Sequence, residues 1–447
     1  MLQRHNLAAW RCITRFAIFP YYMHIPIIKA NSDSPEVLRL CSRTATQHSE
    51  IEKLVRKILL DIKKGGLEAA ILYAKKYDGL KKNNLRFSEA EIKQAATKID
   101  SGLKNALKQA IENVKVFHQR QMEKSWAFEG KNGELLGQKI RPLKRVGLYV
   151  PGGAGVYPST LIMNAVPALV AGVKELVVVS PIKENLHSSV AYVLLELGIK
   201  EVYHIGGAQG IGLLAYGAKG ITPVDKIVGP GNVFAAFAKK EVFGTVDIDM
   251  VAGPSEIAVL ADSTANPEWV AADMLSQAEH GSGFEASVCV TDSLAFAKKL
   301  SVCIEKQVKA SPKMEILEKS LSAYGRIFLA KNMKEAVNIV NRIAPEHLEI
   351  VAKNQDELEK MVENAGAIFI GSYSSEPVGD YFAGPNHVLP TNGTARFASP
   401  LGVYDFLKRT SIIRYSKKAL QKNGASIAKI ANSEGFYHHA KAIEVRL

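Results

Sequence analysis

Between Val146 and Ile370 the chain alternates short β-branched apolar runs with longer helical segments, and it does so twice over. Segments 146–150, 175–180, 201–205, 226–228 and 246–250 read as strands. Helices are expected at about 159–172 and 184–197, and after the turns at Gly206 and Gly229. The pattern repeats with strands at 256–260, 286–291, 326–329, 348–351 and 367–370, separated by helices that begin near Asn266, Ser293, Met333 and Gln355. Strands joined by crossover helices build a parallel sheet covered on both faces. The expected fold is therefore α/β, with two similar doubly wound lobes. A cleft between two such lobes suits a small molecule.

Punctuation and periodicity set the expected divisions. Residues 1–22 form an extension outside the fold, and 23–145 an N-terminal, mainly helical region. The first lobe is 146–255, the second 256–402, and 403–447 is a tail with helical character at 417–430. At 447 residues, more than one domain is expected. Within the first region Ile51, Leu54, Val55 and Ile58 recur at helical spacing, with breaks at Gly65-Gly66 and Asp78-Gly79. No chemistry is evident there.

The extension carries Arg4, Arg11 and Arg15 and no acid before Asp33, a composition that resembles a transit peptide. The rival reading, slightly preferred, makes Met23 the first residue, and the expected location is cytoplasmic unless the segment directs organellar import. The net charge of +13 is scattered, with no basic block interleaved with aromatics, which argues against nucleic acid and for either a surface that attracts anionic small molecules or simple solubility. No apolar run reaches the length of a membrane span. Cys12, Cys41, Cys289 and Cys303 show neither disulfide nor zinc-knuckle spacing.

Several stretches carry candidate chemistry. Asn266 and Pro267 read as the N-cap and first residue of a helix that Gly281 and Gly283 stop. Gln277 and His280 then lie on one side of its last turn, where an amide oxygen and an imidazole could hold a divalent metal. Glu346-His347 follows Pro345 at a helix-to-strand junction, and a histidine beside a carboxylate can manage two proton transfers. Asp380 and His387 share a loop rich in Gly and Pro, costly to order without a purpose. Glu434, His438 and His439 close the list. Glycine turns at Gly152-Gly153, Gly206-Gly207 and Gly229-Pro230-Gly231 could admit a pyrophosphate, though none is a full G-x-G-x-x-G.

Together these stretches resemble the histidinol dehydrogenase family over roughly residues 51–439. The match runs through Ser-Gln277-Ala-Glu-His280, Ala-Pro-Glu346-His347-Leu, Gly-Asp380-Tyr-Phe-Ala-Gly-Pro-Asn-His387 and Glu434-Gly-Phe-Tyr-His-His439. It includes Val-Gly-Leu-Tyr149-Val-Pro-Gly-Gly, Gly-Gly-Ala-Gln209, Gly-Pro-Gly-Asn232 and Ala-Gly-Pro-Ser255-Glu. The resemblance implies an NAD-dependent, zinc-containing homodimer with shared sites, built from two incomplete Rossmann-like doubly wound lobes, that oxidises L-histidinol through the aldehyde to L-histidine. It makes Gln277, His280, Asp380 and His439 the zinc ligands, His347 the base and Glu346 the activator of water. Ser255, His387 and Glu434 would contact substrate, together with Gln277, His280, His347, Asp380 and His439. Tyr149, Gln209 and Asn232 would contact NAD.

Two stretches depart from the family's usual pattern. Gly281-Ser282-Gly283 follows His280 where Asp-Pro is usual, and Ala154-Gly155 follows the Pro-Gly-Gly turn. The alternative they raise is a paralogous NAD- and zinc-dependent dehydrogenase for another polar alcohol. A two-lobe binding protein without chemistry is the non-enzyme reading.

Overall fold

Continuous apolar runs such as Leu148-Tyr149-Val150 and Val177-Val178-Val179 suit strands covered on both faces, and these are buried throughout. A computed structural model describes residues 24–42, 49–152, 155–182 and 185–447. The expectation for residues 1–22 lies outside them.

The strands in chain order are β1 (Ile27–Lys29), β2 (Trp126–Glu129), β3 (Leu135–Pro142), β4 (Arg145–Tyr149), β5 (Glu175–Ser180), β6 (Glu201–His204) and β7 (Lys226–Val228). They continue with β8 (Asp247–Ile248), β9 (Glu256–Ala261), β10 (Ala286–Thr291), β11 (Gly325–Leu329), β12 (His347–Val351), β13 (Ala367–Ile370) and β14 (Leu407–Arg414). The chain separates into two units. The first joins the described residues before 43 to Pro254–Ser375, and the second joins Thr44–Gly253 to Glu376–Leu447.

In the second unit a parallel sheet has the order β6-β5-β4-β7-β8. In the first unit β11-β10-β9-β12-β13 repeats that order, with β1 added at the edge. Both are doubly wound, as the alternation implied. Each reverses direction beside its first strand, between β4 and β7 and between β9 and β12. The helix Pro267–Ala278 starts as read, with Asn266 Oδ1 accepting from the Glu268 N–H at 2.9 Å.

The observed division is not the contiguous one expected from sequence. β1 and the helix Pro35–Cys41 belong with residues 254–375, because Ile27 pairs with Ile327 and extends that sheet. Within 126–142, expected in the mainly helical region, β2 and β3 form a three-stranded antiparallel sheet with β14 from the tail. Residues 376–402 group with the second unit. The long helix Ser49–Tyr77 supplies one wall of the second unit's core, with Val55, Ile58, Leu59 and Ile62 packed among Ile211, Leu214 and Ile227. No described helix is long and apolar enough to cross a membrane.

Candidate active site

The three residues expected at the cofactor all come from the carboxyl edge of the second unit's sheet, where doubly wound folds bind nucleotides. Tyr149 ends β4, Gln209 lies in the first turn of the helix Gly207–Tyr216, and Asn232 caps the helix Val233–Val242. A cavity of about 490 Å³ opens here, lined by Asp78, Gly152, Pro181, Gly207, Gln209 and Asn232 among others. Tyr149 lies beneath the turn, its hydroxyl accepting from the Gly207 N–H at 3.0 Å, and burial raises its pKa to about 12. Gln209 is buried and donates to Asp78 at 2.9 Å, while Asn232 Oδ1 accepts from the Ala235 N–H at 3.1 Å.

Under the Gly229-Pro230-Gly231 turn sits a buried ion pair, Lys239 with Asp249. Lys239 donates to the Gly229 carbonyl at 3.0 Å and Gly229 donates to Asp249 at 2.7 Å. Gly229 has φ +115°, and a Cβ there would lie 2.2 Å from the Tyr149 carbonyl oxygen. The turn is fixed by sterics as well as by charge.

In the first unit the candidate residues gather at the opposite, amino edge of the sheet. His347 opens β12 with Glu346 immediately before it, and Ser255 immediately precedes β9. Ala344 takes a left-handed conformation, φ 51° and ψ 62°, so the chain leaves the helix Met333–Ile343 abruptly before Pro345. Pro345 does keep its predecessor out of the right-handed helix, though by this route and not by an extended one. Glu346 and His347 are both buried. Glu346 accepts from the Glu256 N–H at 2.9 Å, and His347 Nδ1 lies 3.2 Å from the Glu256 carbonyl oxygen. A carbonyl accepts only, so the ring proton sits on Nδ1 and the lone pair on Nε2. The Glu346 carboxylate is 3.7 Å from Nδ1.

Helix Pro267–Ala278 runs back along this sheet, so its C-terminal turn reaches the same amino edge as His347. Asp273 and Glu349, both carboxylic acids, hydrogen-bond to each other, and burial raises Asp273. Gln277 lies one helical turn beyond Asp273, and His347 one inward position before Glu349. The bond therefore sets the register that carries Gln277 and His347 to one edge.

Two adjacent carboxyls bond well only when they share a proton. A raised folded pKa means the pair stabilises the fold at low pH and loses that contribution as pH rises past the ordinary aspartate range. Glu349→Gln keeps the bond without the second charge. It should raise Tm at neutral pH by about 2 °C and flatten the fall of Tm as pH rises above the ordinary aspartate range. An identical pH dependence in variant and wild type would contradict the shared proton.

Gln277 is fully buried, and no donor among the described residues reaches its Oε1. A buried amide oxygen without a donor is costly, and a metal would relieve it. His280 Nδ1 lies 3.0 Å from the Gln277 carbonyl oxygen and 3.1 Å from its amide nitrogen. Nδ1 can serve only one of these contacts: a proton on it satisfies the carbonyl, not the amide N–H, and leaves Nε2 as a ligand atom, the arrangement usual for a metal-bound histidine. The donor set therefore fits a divalent metal such as zinc. The loop that follows, Gly281 to Gly283, is tied to the buried Glu285, which accepts from Ser282 N at 2.6 Å and Gly283 N at 2.8 Å. Burial would raise Glu285, but these donors and Ser320 outweigh it and hold the carboxyl low.

Asp380 and His387 lie in the second unit, on a loop that includes a π-helical turn, Gly379–Ala383. His387 Nδ1 donates to the Asp380 carbonyl at 2.9 Å, again leaving Nε2 with the lone pair. Asn113 donates to the Phe382 carbonyl at 2.8 Å, and Asn386 to that of Met163 at 2.7 Å. Glu434 caps the helix Lys417–Ser433, and His439 lies on the helix Tyr437–Glu444. Both are exposed, and these helices bury little beyond Ala419, Gly424, Ala428 and Ala440.

Residues 41–447 match the family model for histidinol dehydrogenase. The chain belongs to the histidinol dehydrogenase family. The histidinol dehydrogenase of Bacillus subtilis is 51% identical over 399 residues, 89% of this chain and 93% of the relative. That of Carboxydothermus hydrogenoformans is 47% identical over 415 residues, 92% of this chain and 97% of the relative. The crystal structure of histidinol dehydrogenase from Elizabethkingia anophelis has a TM-score of 0.88 at 34% identity, covering 95% of this chain and 98% of that one. Membership of the histidinol dehydrogenase family makes the chain an oxidoreductase of histidine biosynthesis. It sets aside the reading as a binding protein.

Sequence reasoning missed Asp78, Asn113, Lys239 and Asp249, which hold the expected site residues or their turns in place. Lys239 carried one legible signal, a cation on the apolar face of a helix between Ala235, Ala238 and Val242. The others are silent in sequence because their partners lie far along the chain.

Proposed function

We propose that the chain oxidises L-histidinol twice, through L-histidinal to L-histidine, with NAD as the hydride acceptor and one zinc ion orienting the substrate's nitrogens. The observation that carries this reading is the buried Glu346-His347 pair, whose imidazole proton is held on Nδ1 by the Glu256 carbonyl. His347 Nε2 then takes the alcohol proton in the first oxidation and the proton of the hydrated aldehyde in the second. Glu346, beside it, removes a proton from the water that adds to the aldehyde. Gln277, His280, Asp380 and His439 would hold the metal, and Ser255, His387 and Glu434 would position the substrate. Tyr149, Gln209 and Asn232 would serve NAD.

The proposed assembly is a homodimer in which Glu434 and His439 complete the partner's site. It is supported by apolar side chains left bare on the tail, among them Ile413 (73% exposed), Tyr437 (63%) and Phe436 (53%). Isologous pairing would give two equivalent sites.

Elemental analysis of active protein should return one divalent metal per chain. Prolonged chelation should remove it and the activity together, and added zinc should restore both, since an amide ligand holds metal less firmly than thiolate or imidazole. Active protein without stoichiometric metal would overturn the metal assignment.

A further inference from the structure

Asp78 follows the long helix Ser49–Tyr77 and comes from a region with no dinucleotide motif, yet it lines the cavity beside Gln209 and Asn232. It is 8% exposed. Its Oδ2 accepts from the Gly206 N–H at 3.0 Å and from Gln209 at 2.9 Å. Its main-chain oxygen is bonded by His204 Nε2 at 3.1 Å, which pins the backbone beneath the carboxylate. Among the described residues no lysine or arginine pairs with it, and no donor reaches Oδ1. Burial raises its pKa, so the charge is only partly compensated by these neutral donors.

Gly206 caps the helix Gly207–Tyr216 directly after β6. A helix N-terminus of this kind attracts an anion such as phosphate, drawn by the unpaired N–H groups and the helix dipole. Here the chain's own carboxylate already takes the Gly206 N–H. A second anion at that point would meet like charge in a partly enclosed space. What the site can accept instead is a hydroxyl that donates to the remaining oxygen, the way acidic side chains read ribose in dinucleotide folds.

We propose that Asp78 accepts hydrogen bonds from the adenosine ribose of the dinucleotide and excludes one bearing a 2′-phosphate. This rests on the reading that NAD occupies the cavity. Asp78 is then a specificity residue, and through its bond to Gln209 it also orients that amide.

The test uses the full-length, metal-loaded enzyme with saturating histidinol. Steady-state kinetics are measured with NAD, NADP and an NAD analogue lacking the adenosine 2′-hydroxyl, for wild type and Asp78→Asn. The asparagine still offers an oxygen to Gly206 but no charge. Wild type should prefer NAD over NADP by at least about 100-fold in kcat/KM and lose roughly 10-fold or more with the deoxy analogue, the scale of a charged hydrogen bond. In Asp78→Asn the loss should fall on the KM for NAD, and the NAD-to-NADP preference should narrow by about 10-fold. A merely structural role would weaken both dinucleotides in proportion and leave their ratio unchanged, which overturns the proposal. Should the variant fail to fold, wild type alone decides, because indifference to the missing hydroxyl also overturns it. Wild type that reduces neither dinucleotide would sink the NAD reading itself, and this inference with it.

Discussion

Replacing His347 by asparagine should lower kcat by about 10²–10⁴-fold with both histidinol and histidinal, the usual loss on removing a general base. The substitution is conservative for the fold, since an amide N–H can still meet the Glu256 carbonyl that now lies 3.2 Å from Nδ1. Both oxidations need a proton taken from oxygen as hydride leaves, so neither substrate should escape the defect. Glu346→Gln should separate them. Its amide oxygen can keep the bond from the Glu256 N–H, now 2.9 Å, while losing the capacity to accept a proton from water. Oxidation of the alcohol should be nearly spared, and use of the aldehyde should fall by about 10²-fold or more. Equal losses of Glu346→Gln on the two substrates would remove its assigned role.

The second large effect is a recovery. His280→Ala and His439→Ala should each be inactive as homodimers, because each deletes one proposed ligand from every site. After partial unfolding, mixing and refolding, about half the dimers should be mixed. If the tail serves the partner, one site of a mixed dimer collects both lesions and the other collects none. Roughly a quarter of wild-type activity should therefore return from two dead proteins. If the tail serves its own chain, every site keeps one lesion and nothing returns. Wild type carried through the same treatment controls for refolding.

The parallel sheets were legible because strands covered on both faces carry unbroken apolar runs, as in Val177-Val178-Val179 and Ile257 to Ala261. The helix at Asn266-Pro267 was legible because capping is local chemistry. What escaped was β2, β3 and β14. Residues such as Lys408, Arg409, Thr410 and Ser411 are exposed along β14, so it has no apolar face to betray it, and its partner β3 lies far back in the chain. The candidate site shows the same divide. Gln277 with His280, and Glu346 with His347, are neighbours in sequence as well as in space. Asp78 reaches Gly206, Asp273 reaches Glu349, and Asn113 reaches Phe382 only through the fold. The two sheets share one strand order, yet the first unit's candidates sit at the amino edge, and the second unit's cofactor candidates Tyr149, Gln209 and Asn232 at the carboxyl edge. No periodicity distinguishes one end of a strand from the other.

The stoichiometry of the reaction is the most direct test of a twofold oxidation. Purified enzyme supplied with zinc, excess NAD and a limiting amount of L-histidinol should form two NADH for each histidinol consumed, with L-histidine as the product and no build-up of aldehyde. One NADH per histidinol with histidinal accumulating, or no NADH at all, would contradict it.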